Sequence, residues 1–475
     1  MDNPLFLAAR RPYEEPPVRH DVGHMNVTCR LCGALHWMNE RLSGSPMTAP
    51  LFGLCCNSGK VVLPMLKDPP ECLKALFERN DQHGRDFQEN IWKYNCAFAF
   101  TSLQVTEDHS VNEHRQGQPV FRIQGEFCHH IGPLFPNENH PPTYAQLYFY
   151  DTHAALEYRC RQNSGLNSDT LRMLQNMLID HHQYAHIYHH AYEILEHYDP
   201  DDNISISLCI PGNPSHNHRR YDLPTRDEVA VILPGVDGDV SQITQRDIVL
   251  QRRAGGLQNN SDLHPAYVPL YYVLLFPYGE HGWHPGLKLC SSNDGTVGKC
   301  LTQTQYVAYR LQVRGNEYSS LLRGGRLLQR FVVDMFASID QSRLLWFRMN
   351  QRCIRACLYS GLEDAASEGD DEIDLHNLGQ RFILPSSYIG GPRHMQQRFQ
   401  DSMAIARYFR QVDIFMTVTT DPHWLEISRE LLPRQTAFDR PDLVGRVFQM
   451  KKKAIIDFIY KHGIFGSAVT YVYSI

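Results

Sequence analysis

Apolar residues recur at helical spacing most strongly between Thr304 and Ser360, as in RLLQRFVVDMFASIDQSRLLWFRM, and predict a helical region there. The Gly324–Gly325 pair interrupts it and marks a break between two helices. Pro392 follows Gly390–Gly391, where a proline opens a helix without losing a needed hydrogen bond. That helix, His394 to Arg410, is expected to turn Met395, Phe399, Met403, Ala406 and Phe409 inward. Asp413–Thr419, mixing β-branched and aromatic residues, predicts a strand. Asp439 and Pro441 start another helix, running to His462 and ended by Gly463, and Ala468–Ile475 predicts a second strand. The two strands are expected side by side with the helix packed on them, which makes the fold class α+β.

Upstream the pattern is mixed. FRIQGEFCHHIGPLFP and AQLYFYD read as strand and turn, and SDTLRMLQNMLIDHHQYAHIYHHAYEILEH as a helix or helix pair. RRYDLPTRDEVAVILPG and TQRDIVLQRRAGGLQ suggest strands joined by turns, before the aromatic segment HPAYVPLYYVLLFPYGEHGWHP. The expected organisation is a polar, proline-rich, disordered tail over 1–25, a cysteine-rich segment over 26–75, and a mixed α/β region over 95–300. A helical region over 304–360, an acidic loop over 361–378 and an α+β unit over 379–475 follow, with no internal repeat.

At 475 residues, 42% hydrophobic and 21% charged, the composition is that of a globular chain of two or three domains. No apolar run approaches a membrane span, and no basic region precedes the apolar patch at the start, so the expected setting is nuclear or cytoplasmic, not secreted. A net charge of −6 argues against a protein that coats nucleic acid. The charge is unevenly spread: nine arginines stand against three acids from Ala308 to Arg355, and seven acids fill Glu363–Asp374. A basic helical block can bind DNA on one face; a solvated helix beside a solvated loop accounts for the same pattern.

Thirteen cysteines are scattered apart from one cluster, which in an intracellular chain suggests metal sooner than disulfides. Cys29-x-x-Cys32 can place two thiolates on one metal, and Cys55-Cys56 can complete a tetrahedron, with His36 as a spare ligand. If zinc is the metal, the sulfurs should converge to within about 4 Å of one another; the alternative is buried free thiols. A second cluster, His181, His182, His186, His189 and His190, has His182, His186 and His190 at i, i+4 spacing, and is either a ligand set or a polar helix face. Arg323, Arg326, Arg330, Arg393 and Arg398 are candidate phosphate contacts, since the guanidinium fork donates two parallel hydrogen bonds. Intramolecular ion pairs are the competing role for each. No P-loop is present: neither Gly53 to Gly59-Lys60-Val61 nor Gly295 to Gly298-Lys299-Cys300 has the spacing and hydroxyl that ATP binding needs.

Several segments, in order, resemble the N-terminal region of Helitron transposases, the helicase-like proteins of rolling-circle DNA transposons. They are CRLCGALHWMNERL with FGLCCNSGKVVLP, GEFCHHIGPLFP, YAQLYFYD, RRYDLPTRDEVAVILPG, RDIVLQRR, HPAYVPLYYVLLFPYGEHGW, LLRGGRLLQRFVVDMFASIDQSRLLWFRMNQ and the C-terminal stretches. The resemblance implies a structural zinc at the amino-terminal cysteines and binding to single-stranded or transposon-end DNA. It also implies an incomplete rolling-circle-nuclease-like unit at the C-terminus. In the family the strand matching Val469–Ile475 runs into a His-hydrophobic-His metal motif, with catalytic tyrosines beyond, and this sequence stops before both. The family usually carries asparagine where Asp421 stands, and His216-Asn217-His218 has a polar middle residue and reads as a turn. The expectation is a DNA-binding fragment without nuclease or ATPase chemistry and without a catalytic divalent metal. The alternatives are a domesticated or decayed interaction protein, or a gene-model fragment of an active nickase-helicase.

Overall fold

A computed structural model describes residues 19–108, 110, 120–132, 136, 140–196, 207–210, 248–251, 258–290, 298–351, 384–410, 412–461, 463–466 and 468–473. The RRYDLPTRDEVAVILPG stretch, His216-Asn217-His218 and the acidic loop lie outside them. The chain is mixed helix and sheet with few strands, consistent with α+β. It divides into two units, one of Val18–Met335 with Asp421–Lys451, the other of Met1–Pro17, Phe336–Thr420 and Lys452–Ile475.

The larger unit opens with a two-residue-per-strand hairpin, β1 (Val27–Thr28) against β2 (Leu35–His36). Helix α1 (Glu71–Glu78) buries Leu73, Leu76 and Phe77. Helix α2 (Gln82–Phe98) is capped by the Asp81 carboxylate, which accepts from the Gly84 amide at 3.0 Å. A three-stranded antiparallel sheet follows, with β3 (Ser102–Glu107) and β7 (Gln258–Asn260) flanking β4 (Ile123–Ile131). Helices α3 (Thr152–Gln162), α4 (Ser168–His181) and α5 (Gln183–Glu196) lie between these strands in sequence, as does the separate pair β5 (Ser207–Ile210) and β6 (Ile248–Gln251). AQLYFYD is not a strand. Residues 144–149 form a 3-10 turn, because Thr143 and Gln146 close a capping box and the turn buries Leu147, Tyr148 and Phe149 together.

The core is organised around residues 264–277, every one of them buried, which include the short helix α6 (Tyr267–Tyr271). Asn95, fully buried on α2, clamps this stretch: its amide donates to the Tyr271 carbonyl at 2.7 Å and its carbonyl accepts from the Leu274 amide at 3.2 Å. Arg159, also buried, lies 4.9 Å from the ring centroids of Phe98 and Tyr148 and bonds the Ala97 carbonyl and the Gln175 side chain. Its cation is thereby hydrogen-bonded and stacked on aromatic faces, which offsets the cost of burial.

The expected helical region is three pieces: α7 (Gln303–Arg310), a 3-10 turn at Leu321–Arg323, and α8 (Arg326–Met349). The break falls at Gly324–Gly325. A second apolar cluster joins Met25 and Trp37 to Ile427, Ala437, Leu443, Val444, Val447 and Met450. It lies between the hairpin and α11 (Pro441–Lys461), while Glu426 and Glu430, on and just after α10 (Leu425–Ser428), accept from the amides of Val22 and Met25.

The smaller unit departs most from expectation. Its helix α9 (Pro392–Phe409) forms, but it has no buried residue: Met395, Phe399, Met403 and Phe409 are exposed and Ala406 is half-buried. Residues 413–419 and 468–473 form no strand and pair with none among the described residues, so the two expected strands are not in one sheet. β-branched and aromatic content favours an extended backbone, but a sheet strand needs a second backbone to pair with, and neither segment is paired among the described residues. Tyr388 anchors residues 384–391 to α8 by donating to the Asp340 carboxylate at 2.8 Å and packing edge-on to Phe347.

Candidate metal centre

Cys29, Cys32, Cys55 and Cys56 come together in the larger unit. Their sulfurs all lie within 4.8 Å of one another, with Cys29–Cys56 at 3.9 Å and Cys55–Cys56 at 3.7 Å. A tetrahedral zinc with bonds near 2.3 Å requires sulfurs about 3.8 Å apart. Two of the pairs already have that spacing, and the set as a whole is slightly looser than the expected 4 Å.

Two tight turns bring the sulfurs together. In the first, the Gly33 amide donates to the Cys29 carbonyl at 2.9 Å and the Cys29 amide to Ala34 at 2.8 Å, closing the hairpin between β1 and β2. Gly33 has φ +74°, a value that costs glycine little and other residues more. In the second, Asn57, Ser58 and Gly59 are all left-handed, and the Gly59 amide points back at the Cys56 sulfur at 3.3 Å. Left-handed backbone at two non-glycine residues in succession costs on the order of 1–3 kcal/mol each. Something must offset that cost, and an amide aimed at a sulfur is an interaction that a metal thiolate strengthens.

The sulfurs are electrostatically linked. A hydrogen bond from Cys55 brings the Cys32 thiol down to about 4, against the opposing effect of burial. The same interaction pushes Cys55 upward, and burial pushes Cys56 up to about 11. One thiolate is therefore shared among buried neighbours, an arrangement that a dication completes. The donor set, four sulfurs with three of the residues buried, fits a metal ion.

His36 stands apart from this set. Its Nδ1 meets the Glu40 carboxylate at 2.9 Å and its ring stacks on Phe52 at 4.0 Å. Arg446 grips the same carboxylate through two hydrogen bonds of 2.7 Å and lies over Trp37. Burial opposes the charge on Glu40, but Arg446 and His36 outweigh it and hold the carboxyl down at about 2. The cysteine turns are tied to later chain as well: buried Arg314 donates to the Cys32 carbonyl at 3.1 Å, and the Leu35 amide to Val313 at 2.8 Å.

Among the described residues the histidines gather into no ligand group. His182 stands at the junction of α4 and α5, where its carbonyl accepts from the His186 amide at 3.2 Å. His182 is buried against Phe100, and burial holds its pKa down at about 3. His186 is exposed, and the side chain of His190 lies outside the described residues. The five arginines also separate. Arg323 stacks on Tyr318 at 4.1 Å, Arg326 is 3.4 Å from Glu107, and buried Arg330 is 3.6 Å from Glu107 with its guanidinium over Trp92. Arg393 and Arg398 are on α9 in the smaller unit, and Arg398 meets His394 at 3.4 Å.

One polar cluster is not foreseen from the sequence. Asp334, fully buried on α8, accepts from Tyr267 and Tyr272 at 2.8 Å each and meets His129 Nε2 at 2.9 Å. His129 stacks on Tyr267 at 3.9 Å. The clue available in sequence is Asp334 itself, a carboxylate on the apolar face of RFVVDMF.

Residues 306–475 match the family model described as the Helitron helicase-like domain at the N-terminus. That part of the chain is similar to the Helitron helicase-like N-terminal domain. No curated protein matches the chain. The match starts within α7 and excludes the four cysteines, yet Arg314 and Arg446, both inside it, are the side chains that fasten the cysteine hairpin. No helix among the described residues is long and apolar enough to cross a membrane.

Proposed function

We propose that this chain is a DNA-binding part of a Helitron-type transposase, with one structural zinc ion held by Cys29, Cys32, Cys55 and Cys56. The observation that carries the reading is the family match over residues 306–475. The four converging sulfurs support the zinc, and their burial gives it a structural rather than a catalytic role, since it leaves no open ligand position. Single-stranded DNA is the partner, with Arg323, Arg326, Arg393 and Arg398 as phosphate contacts. Arg330 is withdrawn from that set because it is buried against Glu107 and Trp92.

The test is binding of a labelled single-stranded oligonucleotide to the full chain across a salt series. Affinity should fall steeply as salt rises, because counterions released from phosphates drive such binding. Replacing Arg323, Arg326 and Arg393 by Ala should weaken binding across sequences and reduce the salt slope by about one for each arginine replaced. No binding at low salt would overturn the DNA role. The chain is also expected neither to nick single strands with Mg²⁺ or Mn²⁺ nor to hydrolyse ATP. Metal-dependent nicking that survives Tyr471→Phe with Tyr473→Phe would reveal a catalytic site elsewhere.

A second reading, an interaction protein with no DNA role, has one observation in its favour. Arg326 and Arg330 share Glu107, so two of the five candidate arginines have an intramolecular acid.

A further inference from the structure

The smaller unit exposes aromatic rings beside cations. Residues 384–420 hold four arginines against two aspartates, and residues 452–473 hold three lysines against one aspartate, Asp457, which pairs with Lys461 at 3.0 Å. Tyr471 and Tyr473, two apart on the segment 468–473, present their rings to the same side. The rings are 18° from parallel, with centroids 6.2 Å apart, and 53% and 57% of the two residues is exposed. Tyr460 on α11 fixes the segment: its hydroxyl donates to the Val469 carbonyl at 3.1 Å and its ring meets Tyr471 edge-on at 5.6 Å. Lys452 lies over the ring of Tyr473, 4.9 Å from its centroid.

We propose that Tyr471 and Tyr473, with Lys452 over one face of Tyr473, form a stacking platform for the bases of single-stranded DNA. This rests on the DNA-binding reading above and gives it a location. Stacked bases are flat rings about 3.4 Å apart, and two exposed, near-parallel tyrosine rings on one side of a segment offer outer faces on which such bases can lie. A ring face accepts any base, and a lysine beside it meets the phosphate that each base brings. Charge selects the occupant. An apolar protein surface would gain nothing from the cation, whereas a polyanion carrying flat aromatic groups uses both features.

The experiment measures binding of oligothymidylate by the full chain in three forms: wild type, Tyr471→Ala with Tyr473→Ala, and Tyr471→Phe with Tyr473→Phe. Both tyrosines are more than half exposed, so folding, followed by circular dichroism, should be unchanged. The alanine pair should lose at least about fivefold in affinity per ring, at an unaltered salt slope, while the phenylalanine pair should keep it. Lys452→Ala should instead lower the salt slope by about one. Wild-type affinity in the alanine pair would overturn the platform and leave the DNA-binding reading standing. Absence of binding in the wild type would remove both. Sedimentation completes the test: a self-association in wild type that the alanine pair abolishes would show that a second copy covers these rings, and the platform would fall.

Discussion

The larger and smaller units contain similar residue types and treat them oppositely. In the larger unit, residues 264–277 are wholly buried, and Asn95, Arg159 and Asp334, three polar side chains at depth, each make hydrogen bonds. In the smaller unit, α9 has apolar residues at helical spacing and buries none of them, and Phe415 is 91% exposed. Hydrophobic pattern therefore fixes where an element can bury a face, and a neighbouring element decides whether it does. Much of the larger unit has such neighbours. The smaller unit keeps apolar and cationic groups at the surface, which suits a binding face better than a core.

The strongest way to break this contrast is at the cysteines. Cys55→Ser with Cys56→Ser should abolish zinc, measured as one equivalent per chain in the wild type by elemental analysis. It should also abolish cooperative unfolding of the larger unit, because a structural zinc contributes on the order of 10 kcal/mol to folding. Wild-type protein purified without zinc, with an unchanged melting transition after chelation, would assign the four sulfurs to ordinary buried thiols.

Asp334 comes next. Asp334→Ala leaves His129 and two tyrosine hydroxyls without their shared acceptor, and should cost about 3–5 kcal/mol in denaturant unfolding. Asp340→Ala, which removes only the half-buried hydrogen bond to Tyr388 in the smaller unit, should cost about 1 kcal/mol. Equal losses would mean that the smaller unit is as tightly specified as the larger.

The position of Asp334 also shows how far a sequence alone can lead. The helix pair around His182, the Gly324–Gly325 break and the helices at 392–409 and 441–461 were legible, because periodicity, proline and glycine act locally. Cys29-x-x-Cys32 with Cys55-Cys56 was legible as a set through its spacing. Three things were not. The His182 cap divides the histidine-rich stretch into two helices, Arg330 takes a half-buried acid from β3, and Asp334 recruits His129 from 205 positions away. Each depends on which elements meet, and no local pattern encodes that. The strands expected at 413–419 and 468–473 failed for the same reason: propensity favours an extended backbone but supplies no pairing partner.

Acid should also separate the buried groups of the larger unit. His182 titrates near 3 in the fold against 6.5 when free, so the stability tied to its neutral form is complete above pH 6.5 and is lost as pH falls toward 3. Glu40, lowered from 4.5 to about 2, contributes above pH 4.5 and loses its contribution as pH falls through 2, about 3 kcal/mol in all. His182→Phe should flatten the stability profile between pH 6.5 and 4.5, and Glu40→Gln below 4.5. If neither variant changes the slope, another group is responsible for acid lability.

The smallest expected effect tests the exposed side of the contrast. Phe399 lies mid-way along α9 and is 65% exposed, so little of its surface leaves water on folding. Phe399→Ser therefore removes little apolar burial and should shift stability by no more than about 0.5 kcal/mol, the range of ordinary surface positions, apart from a few tenths for the lower helix propensity of serine. A buried phenylalanine such as Phe331, which packs on Tyr272 and Phe276, would cost about 3–5 kcal/mol when cut back to alanine. The two variants, compared by denaturant unfolding at one protein concentration, place α9 on a scale between surface and core. A loss above about 2 kcal/mol for Phe399→Ser would put its ring in a core in solution, and α9 would then have to be counted with the packed elements of the larger unit.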